Sequence, residues 1–189
     1  MNRRVWLEWI SRLLGLVCTA VVVVPGVRYI IAPLRRKAAD VQDFKRLTLL
    51  EDLVPNVPKH VPVTGSLQDA WTHYEETKIG DTWIIRRTKA DVAPEETHVD
   101  AYNMTCPHLG CDVQQGTGDT PFFCPCHNAE FNLDGTPIRT HKRGYINPAP
   151  RGMDSLECRV VQDEESQQWW VEVKFEEFVI GASTKIPKA

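Results

Sequence analysis

Hydrophobic and polar positions divide this chain into two unlike parts. From Leu13 to Ile31 it reads LLGLVCTAVVVVPGVRYII, 19 residues whose only charge is Arg28. At about 1.5 Å of rise per residue this covers roughly 28 Å, close to the ~30 Å hydrocarbon thickness of a bilayer, so the pattern predicts one membrane-crossing helix. A buried core helix is the competing reading, and a continuous valine run of this length beside a chain terminus weighs against it. Pro25-Gly26 predicts a kink, Arg28 can reach the interface, and Trp6, Trp9 and Tyr29 stand where interfacial aromatics belong.

Beyond the span the pattern shortens. Leu34 to Pro55 sets charged residues around Phe44, Leu47, Leu49, Leu50 and Leu53, which is expected to form a partly helical tether. Pro55, Pro58 and Pro62 exclude a long helix and suit an extended entry into a sheet. Four segments follow that are short and β-branched or aromatic: Trp83 to Arg87, Val99 to Met104, Leu156 to Val161 and Trp169 to Phe175. Separated by Gly, Pro or acidic turns, they predict a small antiparallel β domain. The expected organisation is an anchor over residues 1–33, a tether over 34–55 and an all-β domain over 56–189.

Charge sharpens the division. Residues 1 to 37 hold seven Lys or Arg and one Glu, net +6, so the overall −3 leaves −9 for residues 38 to 189. An acidic domain argues against nucleic acid as a partner. Runs such as Glu75-Glu76, Glu95-Glu96 and Asp163-Glu164-Glu165 read as solvated loops rather than a docking face. Basic residues flank the span on both sides, Arg3, Arg4 and Arg12 before it and Arg35, Arg36 and Lys37 after it, so they do not decide orientation. Asn2-Arg3-Arg4-Val5-Trp6-Leu7 resembles a twin-arginine export signal, with Trp6 where phenylalanine is usual. No Ala-x-Ala site follows, so the segment is expected to remain as a single-pass anchor in the inner (plasma) membrane, with the β domain outside the cytoplasm. Cys18 lies inside the span and reads as membrane-facing packing.

The chemistry is concentrated in two boxes, CPHLGC at Cys106 to Cys111 and CPCHNAEF at Cys124 to Phe131. Cys106 and His108 are two apart, Cys124 and His127 three apart, and 15 residues separate the pairs. Two thiolates can hold one iron and two imidazoles the other. Neutral imidazoles in place of anionic thiolates favour the reduced cluster and raise its potential to roughly −150 to +300 mV, against about −400 mV for an all-cysteine two-iron cluster. Zinc is the alternative, but Cys-x-His followed by Cys-x-x-His is unlike the usual zinc spacings and leaves Cys111 and Cys126 unexplained. Gly116-Thr117-Gly118 is a turn without a nucleotide-binding continuation.

At these residues the chain resembles the Rieske iron-sulfur subunits of cytochrome bc-type complexes, which carry CTHLGC or CPHLGC and CPCHGSxYD. Asn147-Pro148-Ala149-Pro150-Arg151 is similar to their GPAP proline loop, which covers the cluster from a third side. The resemblance rests directly on about 45 residues. It implies a Rieske-type antiparallel β domain with one 2Fe-2S cluster per chain, held in loops by Cys106, His108, Cys124 and His127, with Leu109 shielding it from water. It also implies a disulfide between Cys111 and Cys126, each a few residues from a ligand, leaving Cys18 and Cys158 as free thiols. His127 is the expected quinol contact and His108 its partner at the exposed tip. The implied function is electron transfer from a quinol to a c-type haem, in a membrane complex with a cytochrome b-type subunit. A different implied setting is the Rieske small subunit of a periplasmic molybdenum oxidase of the arsenite-oxidase type; the proline loop and the uncleaved span favour the first.

Departures from the family pattern carry their own expectations. High-potential members have Ser and Tyr whose hydroxyls bond to cluster and cysteine sulfur, where this chain has Ala129 and Phe131. Losing both donors lowers the potential and suits a low-potential quinol such as menaquinol. Asn128 replaces a glycine and is among the few residues that accept a left-handed backbone. Arg139, His141, Lys142 and Arg143 make a basic spot in a longer path from box two to the proline loop, which fits a partner contact or a solvated insertion equally.

Overall fold

The computed structural model describes residues 3–31, 43–68, 72–140 and 144–188. Helix α1 spans Arg3–Ile31 and buries none of its side chains against the rest of the protein. It continues through Pro25, and it is long and apolar enough to cross a membrane.

Among the described residues nine strands follow: β1 (Phe44–Leu49), β2 (Lys59–Gln68), β3 (His73–Arg86), β4 (Val99–Asn103), β5 (Gln114–Gln115), β6 (Phe122–Cys124), β7 (Ala129–Phe131), β8 (Ser155–Gln162) and β9 (Trp169–Lys174). They form an antiparallel sheet in the order β1-β9-β8-β4-β3-β2 and a small sheet in the order β5-β6-β7. The large sheet is joined at its middle by only two residue pairs, Ala101↔Leu156 and Tyr102↔Ser155, so it behaves as two three-stranded halves. Its outer strands approach each other again, where Lys59 of β2 donates to Thr48 of β1 at 2.8 Å. Pro62 is tolerated within β2 because that strand is an edge and needs no donor on its free side.

The alternation along β3 places it between two cores. Ile84 packs with Val63, Ala101, Val171 and Val173 in an aliphatic base core. Its neighbours Trp83 and Ile85 point the other way, toward Phe122, Phe131, Cys106 and Cys124. Register matches this division, since Ile84 pairs with Ala101 and Trp83 with Tyr102. One sheet half therefore has the base core on one face and the two boxes on the other.

The four expected strand segments fall on β3, β4, β8 and β9. The expected tether is corrected in its second half. Residues 44–49 form β1, paired with β9 from Phe44↔Lys174 to Leu49↔Trp170, and a 3-10 turn follows over Leu50–Asp52. Leu50 and Leu53 are buried in the base core, which explains why apolar residues stand in this stretch. Residues 34–42 of the expected tether lie outside the described residues, as do Asn2 of the arginine motif and His141, Lys142 and Arg143 of the basic spot.

Candidate metal centre

Box one begins where β4 ends. Asn103 turns the chain there: its Oδ1 accepts from Thr105 N at 2.8 Å and its Nδ2 donates to Glu176 O at 2.9 Å. The loop then closes on itself through Cys106 N to Cys111 O at 2.7 Å and Gly110 N to Cys106 O at 3.0 Å, with Gly110 at a φ of 83° that favours glycine. Box two is the turn of the hairpin between β6 and β7, with Cys124 opposite Ala129. Asn128 closes this turn at φ 56°, in the left-handed region expected for it.

A disulfide joins the two loops, Cys111 to Cys126, with their Cα atoms 6.6 Å apart. The sulfurs of Cys111, Cys124 and Cys126 lie within 4.8 Å of one another. Two of the three are bonded to each other, so the grouping marks how closely the disulfide lies against Cys124 rather than a three-thiol metal site.

Cys106 and Cys124 are free and almost wholly buried, at 1% and 2% exposure. Burial is the main reason the Cys106 thiol is pushed up to about 12; the adjacent Cys124 sulfur adds to this, while backbone N–H groups of His108 and Leu109 act against it. The Cys106 thiol resists ionisation alone but suits a cationic metal, because two amide donors already face its sulfur. On the outer side stand the imidazoles of His108 and His127, ring centres 4.8 Å apart and nearly perpendicular at 84°. His127 is exposed, His108 half-buried and Leu109 57% exposed. The four expected ligands thus lie as a buried sulfur pair and an outward imidazole pair.

Two further segments hold this arrangement. In the proline loop, Asn147 Nδ2 donates to Glu130 O at 2.6 Å and Ile138 O at 3.1 Å, and its Oδ1 accepts from Ala149 N at 2.9 Å. These bonds tie the loop to β7. The second segment was missed in the sequence. Arg151 and Asp154 form a buried two-point pair at 2.8 and 2.7 Å, and the same guanidinium donates to Val179 O and Ala182 O. Gly181 N then donates to Pro107 O at 2.8 Å. The C-terminal stretch is thereby clamped behind box one. Arg-x-x-Asp is too common a spacing to have signalled it.

Comparison with known proteins decides the class: residues 60–150 match the family described as Rieske [2Fe-2S] domain. The chain is a Rieske iron-sulfur protein. Its cofactor is the Rieske 2Fe-2S cluster, and two buried thiols beside two outward imidazoles fit such a group. The Rieske chain is 28% identical over 146 residues to the menaquinol:cytochrome c reductase iron-sulfur subunit of Geobacillus thermodenitrificans, covering 73% of this chain and 77% of that one. It is 27% identical over 107 residues to cytochrome b6-f complex iron-sulfur subunit 1 of Nostoc sp., covering 53% and 56%. It thus spans about three quarters of the first relative and only about half of the second. A chain of the solved hyperthermophilic respiratory Complex III aligns at 16% identity and a TM-score of 0.39, over 82% of this chain and 97% of that one. Like other iron-sulfur subunits of this kind, the Rieske chain is membrane-anchored through α1.

Proposed function

We propose that this protein is the iron-sulfur subunit of a quinol:cytochrome c oxidoreductase, taking one electron and a proton at a time from a low-potential quinol of the menaquinol class. Cys106 and Cys124 would hold one iron of the cluster, His108 and His127 the other. The observation that carries the reading is the outward imidazole pair, 4.8 Å apart, with exposed Leu109 beside it. When bound, the cluster supplies a one-electron acceptor whose potential is raised by its imidazole ligands.

The chain's own residues do the rest. His127 offers a ring nitrogen at the surface that accepts a hydrogen bond, and then a proton, from a quinol hydroxyl. His108, less exposed, holds the adjoining ligand position, while Leu109 gives the quinol ring an apolar contact and keeps water back. The names of the Geobacillus and Nostoc relatives support a complex with a cytochrome b-type subunit and a c-type haem acceptor. Ala129 and Phe131, both fully buried beside the boxes, offer no hydroxyl to the sulfurs and so favour the low-potential donor. The Arg3-Arg4 motif and the apolar span support an uncleaved twin-arginine anchor with the β domain outside the cytoplasm.

The test is electron paramagnetic resonance on the membrane-bound chain together with analysis of what co-purifies in mild detergent. Alanine at Cys106, His108, Cys124 or His127 should abolish the reduced Rieske signal, and haem b should co-purify. A normal signal from His127→Ala would overturn the ligand assignment; molybdenum in place of haem b would overturn the complex.

A further inference from the structure

The C-terminal stretch meets box one through a single peptide unit. Arg151 is buried, and each of its three guanidinium nitrogens donates. The Nε and Nη2 edge meets both carboxylate oxygens of Asp154, Nη2 also donates to Val179 O at 2.9 Å, and Nη1 donates to Ala182 O. Those two carbonyls flank Ile180-Gly181, so the ion pair staples that dipeptide at both ends. Phe178, buried in the base core, roots the stretch. Gly181 N then donates to Pro107 O at 2.8 Å, and Ile180 lies over Gly110, where an added Cβ would stand 3.4 Å from its Cδ1. Pro107 is wholly buried, and the peptide unit that begins with its carbonyl ends with the His108 N–H, which faces the Cys106 sulfur. The carbonyl and the N–H of one planar peptide point in opposite directions, so a donor fixed on the first orients the second. A hydrogen bond at the carbonyl also polarises the amide and strengthens its donation.

We propose that Arg151 and Gly181 are positioning residues for the cluster: by holding the Pro107–His108 peptide they keep its N–H on the Cys106 sulfur and so raise the midpoint potential. Reduction adds negative charge to the cluster, and a fixed donor on a ligand sulfur favours that state. The effect matters in this chain because Ala129 and Phe131 bring no hydroxyl to box two, and the donors on Cys106 are backbone amides. The inference rests on Cys106 being a cluster ligand. Arg151 also interacts with Cys106 through its charge alone, and the experiment separates that route from the peptide.

The experiment is redox-monitored paramagnetic resonance on the cluster-loaded full chain in detergent, together with amide exchange of the peptide spanning box one. Gly181→Pro removes the donor to Pro107 and cannot hold the φ of 76° found there, while Arg151 and Asp154 stay in place. Arg151→Met combined with Asp154→Leu removes the staple without changing the net charge. At a fixed ambient potential both variants should shift the ratio of reduced to oxidised cluster by about three-fold or more toward oxidised, and box one should exchange several-fold faster. Ile84→Ala, which loosens only the base core, should leave the ratio unchanged. An unchanged ratio in Gly181→Pro overturns the relay, because a shift confined to the paired variant means that charge acts directly. A shift confined to Gly181→Pro overturns the part given to Arg151, and an equal shift in Ile84→Ala reduces the effect to general loosening. If the proline variant loads no cluster, the paired variant decides: a lowered ratio with faster exchange supports the relay, and a lowered ratio with unchanged exchange overturns it. A normal Rieske signal from Cys106→Ala would instead sink the ligand assignment, which none of these outcomes touches.

Discussion

The two cores on either side of β3 and β4 solve different problems. The base core is mainly aliphatic: Val63, Ile84, Val171 and Val173 are wholly buried, and its buried rings among the described residues are Phe175 and Phe178. The core beneath the boxes is aromatic and sulfur-bearing, with Phe122 between Trp83 and Tyr102 at ring distances of 5.5 and 6.5 Å. It is also pinned by polar contacts, such as Trp83 Nε1 to Val113 O at 2.9 Å. Gly135, at φ 76°, lies so close to Tyr102 that a Cβ would sit 2.6 Å from its ring. Aliphatic side chains fill space and adapt. Large rings with two torsions each, fixed at one edge by a hydrogen bond, hold a loop in one place, which ligands of a metal cluster require.

This contrast can be broken by paired substitutions. Phe122→Ala should cost about 3–5 kcal/mol and Ile84→Ala about 2–5 kcal/mol, similar losses for different reasons. Their effects on the site should diverge: Phe122→Ala should also reduce cluster content, whereas Ile84→Ala should leave the Rieske signal unchanged in shape. Denaturant unfolding and paramagnetic resonance on the same samples check both. Equal damage to the signal would remove the distinction between the cores.

Opening the disulfide sharpens the same point. Cys111 and Cys126 enclose a separation of 15 residues, for which cross-linking contributes about 3 kcal/mol. The double serine variant should lose roughly that stability and release its iron faster on chelator challenge, while the base strands keep their amide-exchange protection.

A smaller effect concerns tuning rather than stability. Ala129→Ser and Phe131→Tyr place hydroxyls within the box-two hairpin, and a donor to sulfur stabilises the more negative reduced cluster. Each should raise the midpoint potential by tens of millivolts, the double variant further, since 59 mV corresponds to about 1.4 kcal/mol for one electron. Redox-monitored resonance checks this; unchanged potentials with intact clusters would remove the hydrogen-bond account of a low-potential centre.

The smallest effect tests the base at its rim, where Asp163 pairs with Arg46 of β1. Backbone donation from Ser166, then Arg46, holds the Asp163 carboxyl down at about 2. A lowered carboxyl stabilises the fold above its ordinary pKa of about 4, and that contribution is lost as pH falls from there toward 2. Asp163→Asn should flatten this part of the melting-temperature profile, with no change in the Rieske signal at neutral pH.

Much of the site was legible because it is local. Cys106 to Cys111 and Cys124 to Phe131 are short boxes whose spacing survives any arrangement of the rest, and the apolar run to Ile31 states its own length. The strands at Trp83, Val99, Leu156 and Trp169 were likewise readable from alternation and turn residues. Residues 44–53 were misread, since a strand with mixed charges looks like a linker until β9 supplies its partner. The clamp from Arg151 through Val179 and Ala182 to Pro107 was equally hidden. Whether an arginine is paired depends on which groups the fold brings within about 3 Å of it, and that distance is decided by chain segments far apart in sequence.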